Sequence, residues 1–560
     1  MPLSFARTAT LVAVVASRLS AQASSPAPDH IYMNGRIWTG DDRQPTAEAL
    51  AVRGDRIVAV GSNSTIRQLA LRSTVVVDLR GRRVVPGFND AHWHFPARRS
   101  ADLTNSANVG EIQRRLKAFA RTIPPDAWIM GRGWSPSDFP DNQAHRKYLD
   151  AIFPDRPALI IDRDGHQTLA NSRAISLAGV TRATPDPENG RIVHDSSGEP
   201  TGLFKEAASQ LVRRFLPATT AGEAYATLLR EMQKAAAFGL TSLQVAGSGG
   251  LTGAEFEAFR RAFDAGALKV RLRVAVPFSL AVGDSELAAF TALRDRYRGQ
   301  MLSFGIAKGM LDGTVDAHTA AMLEPYVGGG SGLPMWSQPD LDRAVARYDS
   351  AGLQVELHAI GDRAIRMALD AYEESAKTNP ASAGRHRVEH VEVPSLEDLP
   401  RFKALGVIAS TQAIFASPDA TTLQNYAPAI GSRAAHSNAF KLFDDAGAVQ
   451  AFGSDYPVFP MDVMLGIYTA VTRQMPDGTP KGGWYPEHRI SVEAALRHFT
   501  RDAAYASFDE TNKGTLAVGK VADFTVLSND ILRAPPAKLL STKVMLTVMG
   551  GRVTHRAPPF

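Results

Sequence analysis

VVPGFNDAHWH, residues 84–94, sets the reading of the whole chain. The run RRVVPGF (82–88) has the length and β-branched content of a buried parallel strand, and two histidines one residue apart stand directly behind it. Alternate side chains of an extended segment point the same way, so His92 and His94 can reach one point in space. Most His-x-His triplets bind nothing, so this one gains meaning only from its surroundings.

Working outward, seven more runs of the same kind follow: LTSLQVA (240–246), VRLRVAV (270–276), FGIAKGM (304–310), LQVELHA (353–359), RVEHV (387–391), VIASTQ (407–412) and VQAFGSD (449–455). Most lead into Ala/Leu/Arg-rich, helix-like sequence. Eight such units are the count of an α/β fold of (β/α)8 TIM-type, here over residues 84–513. His358, His390 and Asp455 fall at the C-terminal ends of three of these strands, which in such a barrel open onto one pocket. Four distant segments therefore converge. Imidazole and carboxylate ligands suit zinc best, with manganese, iron or cobalt as other choices. By contrast His386 precedes its strand, His30, His194, His488 and His555 fall in loops, and His145 and His498 fall in helical stretches; these read as surface or structural histidines.

Short alternating segments with Gly-containing turns fill residues 30–83, and the style returns over 514–556. Neither half has enough strands to bury a core, so the two ends are expected to pair into one small β-sandwich. The first and second barrel strands are separated by far more chain than a helix and two loops need. The excess, residues 95–236, is expected to be a cap inserted after strand one on the catalytic face, with a separate domain of unrelated role as the alternative.

A length of 560 residues, 44% hydrophobic and 21% charged, describes an ordinary globular chain rather than a disordered one. The net charge is +5, with basic residues scattered, which gives no support to nucleic-acid binding. There is no cysteine, so disulfides, thiolate ligands and a Cys nucleophile are excluded. Arg7, a short apolar run from Ala9 to Ala16, and Ala21 and Ala23 around Gln22 have the order of a secretory signal over residues 1–23, cleaved near Ala23. The run is too short to span a bilayer, and the expected location is secreted or periplasmic. The sequence is compatible with a homo-oligomer and sets no copy number.

The chain resembles the amidohydrolase superfamily, and within it amidohydrolase family 3, which includes N-substituted formamide deformylases. The phrases that carry the resemblance are VVPGFNDAHWH (84–94), WIMGRGW (128–134), DGHQTLANSRAI (164–175), GEPTGLFKEAA (198–208), ELHAIGDRA (356–364), RVEHV (387–391), FGSDYPV (452–458) and GTLAVGKVADFTVL (514–527). The resemblance implies two divalent metal ions, one held by His92, His94 and Asp455 and the other by His358 and His390, with Asp455 also shuttling a proton. It further implies a bridging lysine carboxylated on Nζ at the end of strand four. Strand order points to Lys308, while Lys205 in GLFKEAA is the rival. An anionic bridge offsets the repulsion between two divalent ions, which a cationic lysine cannot do.

The expected activity is hydrolysis of an amide-type C–N bond in a small molecule by a metal-bound hydroxide, with Asp455 moving the proton. The same site could instead cleave an ester, lactone or phosphoester, or the chain could be a secreted binding protein without turnover. An intact Asp455 argues against the last. Four further residues are candidates for substrate contact: Trp134; His166, either polarising a carbonyl or simply buried and satisfied; and Asp312 and His318 in the loop after strand four, Asp312 alternatively only fixing its turn.

Overall fold

The computed structural model describes residues 27–560 apart from 97, 105, 248–252, 300, 381 and 383. The expected leader at 1–23 lies outside the described residues. No helix among them is long and apolar enough to cross a membrane.

Eight parallel strands form one sheet in chain order: Phe88–Trp93, Leu240–Val245, Arg271–Pro277, Leu302–Met310, Gln354–Ala359, Arg387–His390, Ile408–Gln412 and Gln450–Gly453. They are the strands of a TIM-type barrel. The seam between first and eighth closes just beyond the eighth strand, where the Asp455 amide donates to the His92 carbonyl at 2.7 Å and the His94 amide to the Tyr456 carbonyl at 2.7 Å. A Cβ on Gly453 would lie 2.5 Å from the His92 nitrogen, so only glycine lets the two strands approach this closely.

The helices between strands follow from their apolar spacing. Asp362–Thr378 buries Ala364, Ile365, Ala368, Leu369, Ala371, Tyr372 and Ser375, a stripe at helical spacing that packs on the barrel. Ala221–Ala237, which leads into the second strand, begins in a capping box: Thr220 accepts from the Glu223 amide, and Glu223 reaches back to the Thr220 amide.

One expectation is corrected. The run 82–88 is not a single barrel strand: Arg83–Pro86 belongs to a different sheet, and the barrel strand begins at Phe88. Gly87 is the break. A Cβ there would meet Thr241 at 2.4 Å, and its amide donates to the Asp523 carbonyl, outside the barrel. The sheet that takes Arg83–Pro86 has six strands in the order Arg552–Arg556, Val544–Met549, Phe524–Leu527, Arg83–Pro86, Arg36–Trp38 and Thr46–Ala47, so both chain ends contribute to it. A four-stranded sheet from residues 30–78 shares its core: Tyr32, Leu50 and Ile57 cluster with Val84, Phe524, Val526 and Leu546.

Between the first and second barrel strands the chain builds a fourth sheet, in the order Gly190–His194, Pro200–Glu206, Gln167–Ala170, Ala158–Asp162, Ile129–Trp134 and Ala101–Asp102. It has apolar clusters of its own, one around Leu116, Trp134 and Ile160 and another around Leu159, Ile175 and Phe204.

Candidate metal centre and active site

The barrel carries His92, His94, His358 and His390 on the ends of three strands, Phe88–Trp93, Gln354–Ala359 and Arg387–His390, and on the turn that follows the first. Ring centroids lie 5.0 Å apart for His92 and His94, 4.8 Å for His92 and His390, and 4.6 Å for His358 and His390. Ligand atoms of His92, His390 and Asp455 all fall within 4.8 Å of one another. His94 Nε2 is 2.9 Å from Asp455 Oδ1 and 3.2 Å from His92 Nε2. The turn positions are strained: His390, Val391 and Asp455 have φ of 74°, 49° and 54°, a left-handed backbone that costs roughly 1–3 kcal/mol at a non-glycine residue. Such strain persists only where the surrounding structure holds it, and here it aims His390 and Asp455 inward.

Three of the four imidazoles, those of His92, His358 and His390, are oriented from behind. His92 Nδ1 donates to Glu389, whose carboxylate is gripped by Arg387 through Nε at 2.9 Å. His390 Nδ1 meets Gln412 Oε1 at 2.9 Å, and His358 Nε2 lies 3.3 Å from the Gly313 carbonyl. Asp90, held at Ser454 Oγ by a 2.5 Å bond, fixes the turn that presents Asp455. Burial, reinforced by the charge of Lys308 and by neighbouring rings, holds His92 well below its ordinary pKa; burial and the neighbouring His390 do the same for His358, and burial and His92 for His390. The three rings are therefore neutral at pH 7, the form that binds metal.

Asp455 Oδ1 is buried and accepts no hydrogen bond. A carboxylate oxygen without a hydrogen-bond partner beside neutral imidazoles is a donor set that fits a divalent metal with N and O ligands.

Lys308, on the fourth strand, lines the same cavity as His94, His358, His390 and Asp455, and among the described residues its side chain makes no hydrogen bond or ion pair. Lys205 stands on the inserted sheet, off the cavity wall, with Nζ donating to the Ala317 carbonyl at 3.1 Å. The geometry thus brings Lys308, and not Lys205, to the cluster.

Residues 75–555 match the sequence model of the amidohydrolase family. The chain belongs to that family. It is 31% identical over 538 residues to the protein LONG AFTER FAR-RED 3 of Arabidopsis thaliana, covering 94% of this chain and 91% of that one. It is 28% identical over 549 residues to the N-substituted formamide deformylase of Arthrobacter pascens, covering 93% and 97%. In fold it is similar to an uncharacterized metal-dependent hydrolase from Pyrococcus horikoshii, with a TM-score of 0.70 at 24% identity over 90% of this chain and 99% of the other.

The cavity of this amidohydrolase, about 1070 Å³, is walled by barrel loops on one side and by the inserted sheet on the other. His166 is on its wall, with its ring 5.2 Å from that of His358. Burial works against its charge, but Glu206, 2.7 Å from Nδ1, outweighs burial and raises the imidazole to about 9. Glu206 is itself fixed by Thr319 Oγ1 at 2.6 Å.

The other three substrate candidates do not reach the wall. Trp134 is fully buried in the core of the insertion, edge-on to Phe139 at 5.3 Å, so its glycine neighbours mark packing. Asp312 accepts from the amides of Ala321, Ile360 and Gly361 at 2.9–3.0 Å, which ties the loop after strand four to the loop after strand five. Its carboxyl, raised by burial to about 7, fixes backbone rather than substrate. His318 is exposed and stacks on Tyr326 at 4.8 Å.

Several residues of this amidohydrolase escape the sequence reading. Glu389 and Arg387 carry charge at full burial inside a strand, and a charged i, i+2 pair in an otherwise buried strand is the signal that could have found them. Arg132, Arg163, Glu392 and Asp316 line the cavity from loops and from the inserted sheet, where no periodicity marks them.

Proposed function

We propose that the chain hydrolyses an amide-type C–N bond of a small molecule held between the barrel mouth and the inserted sheet, which acts as a cap. The observation that carries this reading is Asp455 Oδ1, buried without a hydrogen-bond partner and 2.9 Å from His94 Nε2 and 3.5 Å from His92 Nε2, on a cavity of about 1070 Å³. Two divalent ions, zinc first, would be held by His92, His94, His358, His390 and Asp455, with Lys308 carboxylated as the bridge, and when bound would supply a water acidic near pH 7 and a polarising charge.

The remaining work falls to side chains. Asp455, accepting nothing at Oδ1, takes the proton of the attacking water and returns it to the leaving nitrogen. His166, kept protonated by Glu206, donates a hydrogen bond to the carbonyl oxygen and favours the negative charge that gathers there. Glu389 fixes the tautomer of His92. A leader at residues 1–23 would deliver the enzyme outside the cytoplasm.

The test is a panel of N-acyl amino acids, formamides, lactones and phosphotriesters, each with and without chelator. Turnover of amides or formamides that the chelator abolishes supports the reading. Lactone-only or phosphotriester-only activity, or turnover indifferent to chelator, overturns it.

A further inference from the structure

The cavity wall carries several cations, and they are not equivalent. Arg163 is neutralised by Asp419 at 2.6 Å and Asp164 at 3.4 Å, with Asp316 at 3.9 Å. His166 is neutralised by Glu206. Arg132 and Arg213, both contributed by the insertion, differ: among the described residues neither has a carboxylate within ion-pair distance.

Arg132 Nη2 reaches only the Arg163 carbonyl at 3.3 Å, and its buried Nε has no acceptor. Arg213 donates to Thr168 Oγ1 at 2.8 Å and to the Gly165 carbonyl at 3.1 Å, both neutral. The nearest acid of the same sheet, Asp162, turns Oδ1 to the amides of Gly165 and Gln167 at 2.9 and 2.8 Å. Burial without an adjacent counter-ion draws the Arg213 guanidinium down to about 10 and lowers that of Arg132 as well; both stay charged at neutral pH. Asp455 is among the charges that act on Arg132, and both arginines line the same cavity as His358, His390 and Asp455. Two half-buried guanidiniums without a carboxylate partner on a cavity wall, one with a buried Nε that has no acceptor, are an arrangement that an incoming anion would relieve.

We propose that Arg132 and Arg213 form a carboxylate-binding subsite, and that the substrate is a small amide bearing one carboxylate, in chemical class an N-acyl amino acid. The proposal rests on the C–N hydrolysis reading above. A guanidinium fork matches a carboxylate in two parallel hydrogen bonds. A phosphate dianion is disfavoured because Asp164, Glu188, Asp316 and Glu392 share the wall. Phe415, stacked on His390 at 6.0 Å, and Phe459 supply apolar surface for the remainder of the molecule. The carboxylate thus docks on the cap while the amide reaches the cluster below.

Kinetics on matched pairs, each N-acyl amino acid against its C-terminal carboxamide, test this in the metal-replete full chain. The acid should be preferred in kcat/KM by about 10- to 100-fold, the worth of hydrogen bonds to a charged group. Arg132→Met and Arg213→Met should each shrink that preference, chiefly through KM, while Arg132→Lys retains part of it and unfolding temperatures confirm that the variants fold. Calorimetric binding of N-acetylglycine against N-acetylglycinamide gives a readout independent of turnover. Amide hydrolysis with equal rates for acid and carboxamide overturns the subsite and leaves the function standing. Acid-selective binding lost in Arg132→Met, with no C–N substrate turned over, supports the subsite and overturns the function. Neither selective binding nor hydrolysis overturns both.

Discussion

Glu389 accepts a hydrogen bond from His92 Nδ1, and both side chains are wholly buried. The bond forces Nε2 of His92 to be the free nitrogen, facing Asp455 Oδ1 at 3.5 Å. A ring whose far nitrogen is fixed by a carboxylate holds metal more tightly, and losing that partner typically costs about 10–100-fold in affinity. Glu389→Gln is expected to lose metal that much more readily, measured by competition with a chelator of known affinity. Unchanged metal affinity would show that Glu389 only balances Arg387.

Asp455 combines a free oxygen with a place at the turn after the eighth strand. Asp455→Asn keeps the shape and removes the base. Activity should fall by about 10²–10⁴-fold, the usual contribution of a positioned proton-transfer group, with at least one ion per chain retained by elemental analysis. A rate within tenfold of the parent would end its proton-shuttle role.

Lys308 and Lys205 are separated by what they touch. The Lys308 side chain has no hydrogen-bond partner among the described residues, whereas Lys205 braces the Ala317 carbonyl. Lys308→Ala should therefore leave the melting temperature of the metal-free protein nearly unchanged and lower metal content from two ions to one or none. Lys205→Ala should do the reverse. The opposite pattern would transfer the bridge to Lys205.

His498, outside the catalytic cluster, provides a pH signature. It lies 2.9 Å from Asp502 Oδ2 and 3.2 Å from Asp444 Oδ1; burial disfavours its charge, but the two carboxylates prevail and raise it to about 9. A raised histidine stabilises the fold fully below its unfolded pKa near 6.5, and that stability drains away as pH rises through about 9. The stability gap between the parent and His498→Gln should be about 3 kcal/mol at most at pH 6 and should close by pH 10, followed by denaturant unfolding. A gap constant across that range would refute the charged pairing.

Trp134 sits at full burial in the insertion's own core. Trp134→Ala should cost about 3–5 kcal/mol in that part of the chain. Metal content should stay at parental level, because none of the cluster residues packs in that core. Early proteolysis of residues 95–236 with metal retained is the expected readout; loss of metal would mean that the insertion supports the cluster directly.

The barrel was legible because its strands are short apolar runs that end in His or Asp, and seven of the eight runs match the observed strands within a few residues. The first was misdrawn for a local reason: RRVVPGF is continuous in composition, and only the close approach of Thr241 to Gly87 shows that two sheets share it. Of the cluster, His92, His358, His390 and Asp455 could be read from strand-end position, since alternation and barrel geometry alone aim them. The wall could not. Trp134, Asp312 and His318 lie in motifs that look functional, yet whether such a side chain meets the cavity or the core depends on how the insertion folds back, which no local pattern encodes. Arg132 and Arg213 went unnoticed because an arginine becomes informative only when its lack of a partner is visible.

The strand Arg83–Pro86 lies one glycine ahead of the first barrel strand, which carries His92, and pairs with Phe524–Leu527, while the first strand itself is sealed by the turn at Asp455. During synthesis from the ribosome, therefore, the segment carrying His92 and His94 emerges early with neither neighbour available. One edge of that strand can pair with Leu240–Val245, but the edge toward the eighth strand remains open to mispairing until residue 455 has been made. A chain interrupted before residue 524 would present its histidines behind a strand that has lost one of its two neighbours, Phe524–Leu527, and keeps only Arg36–Trp38.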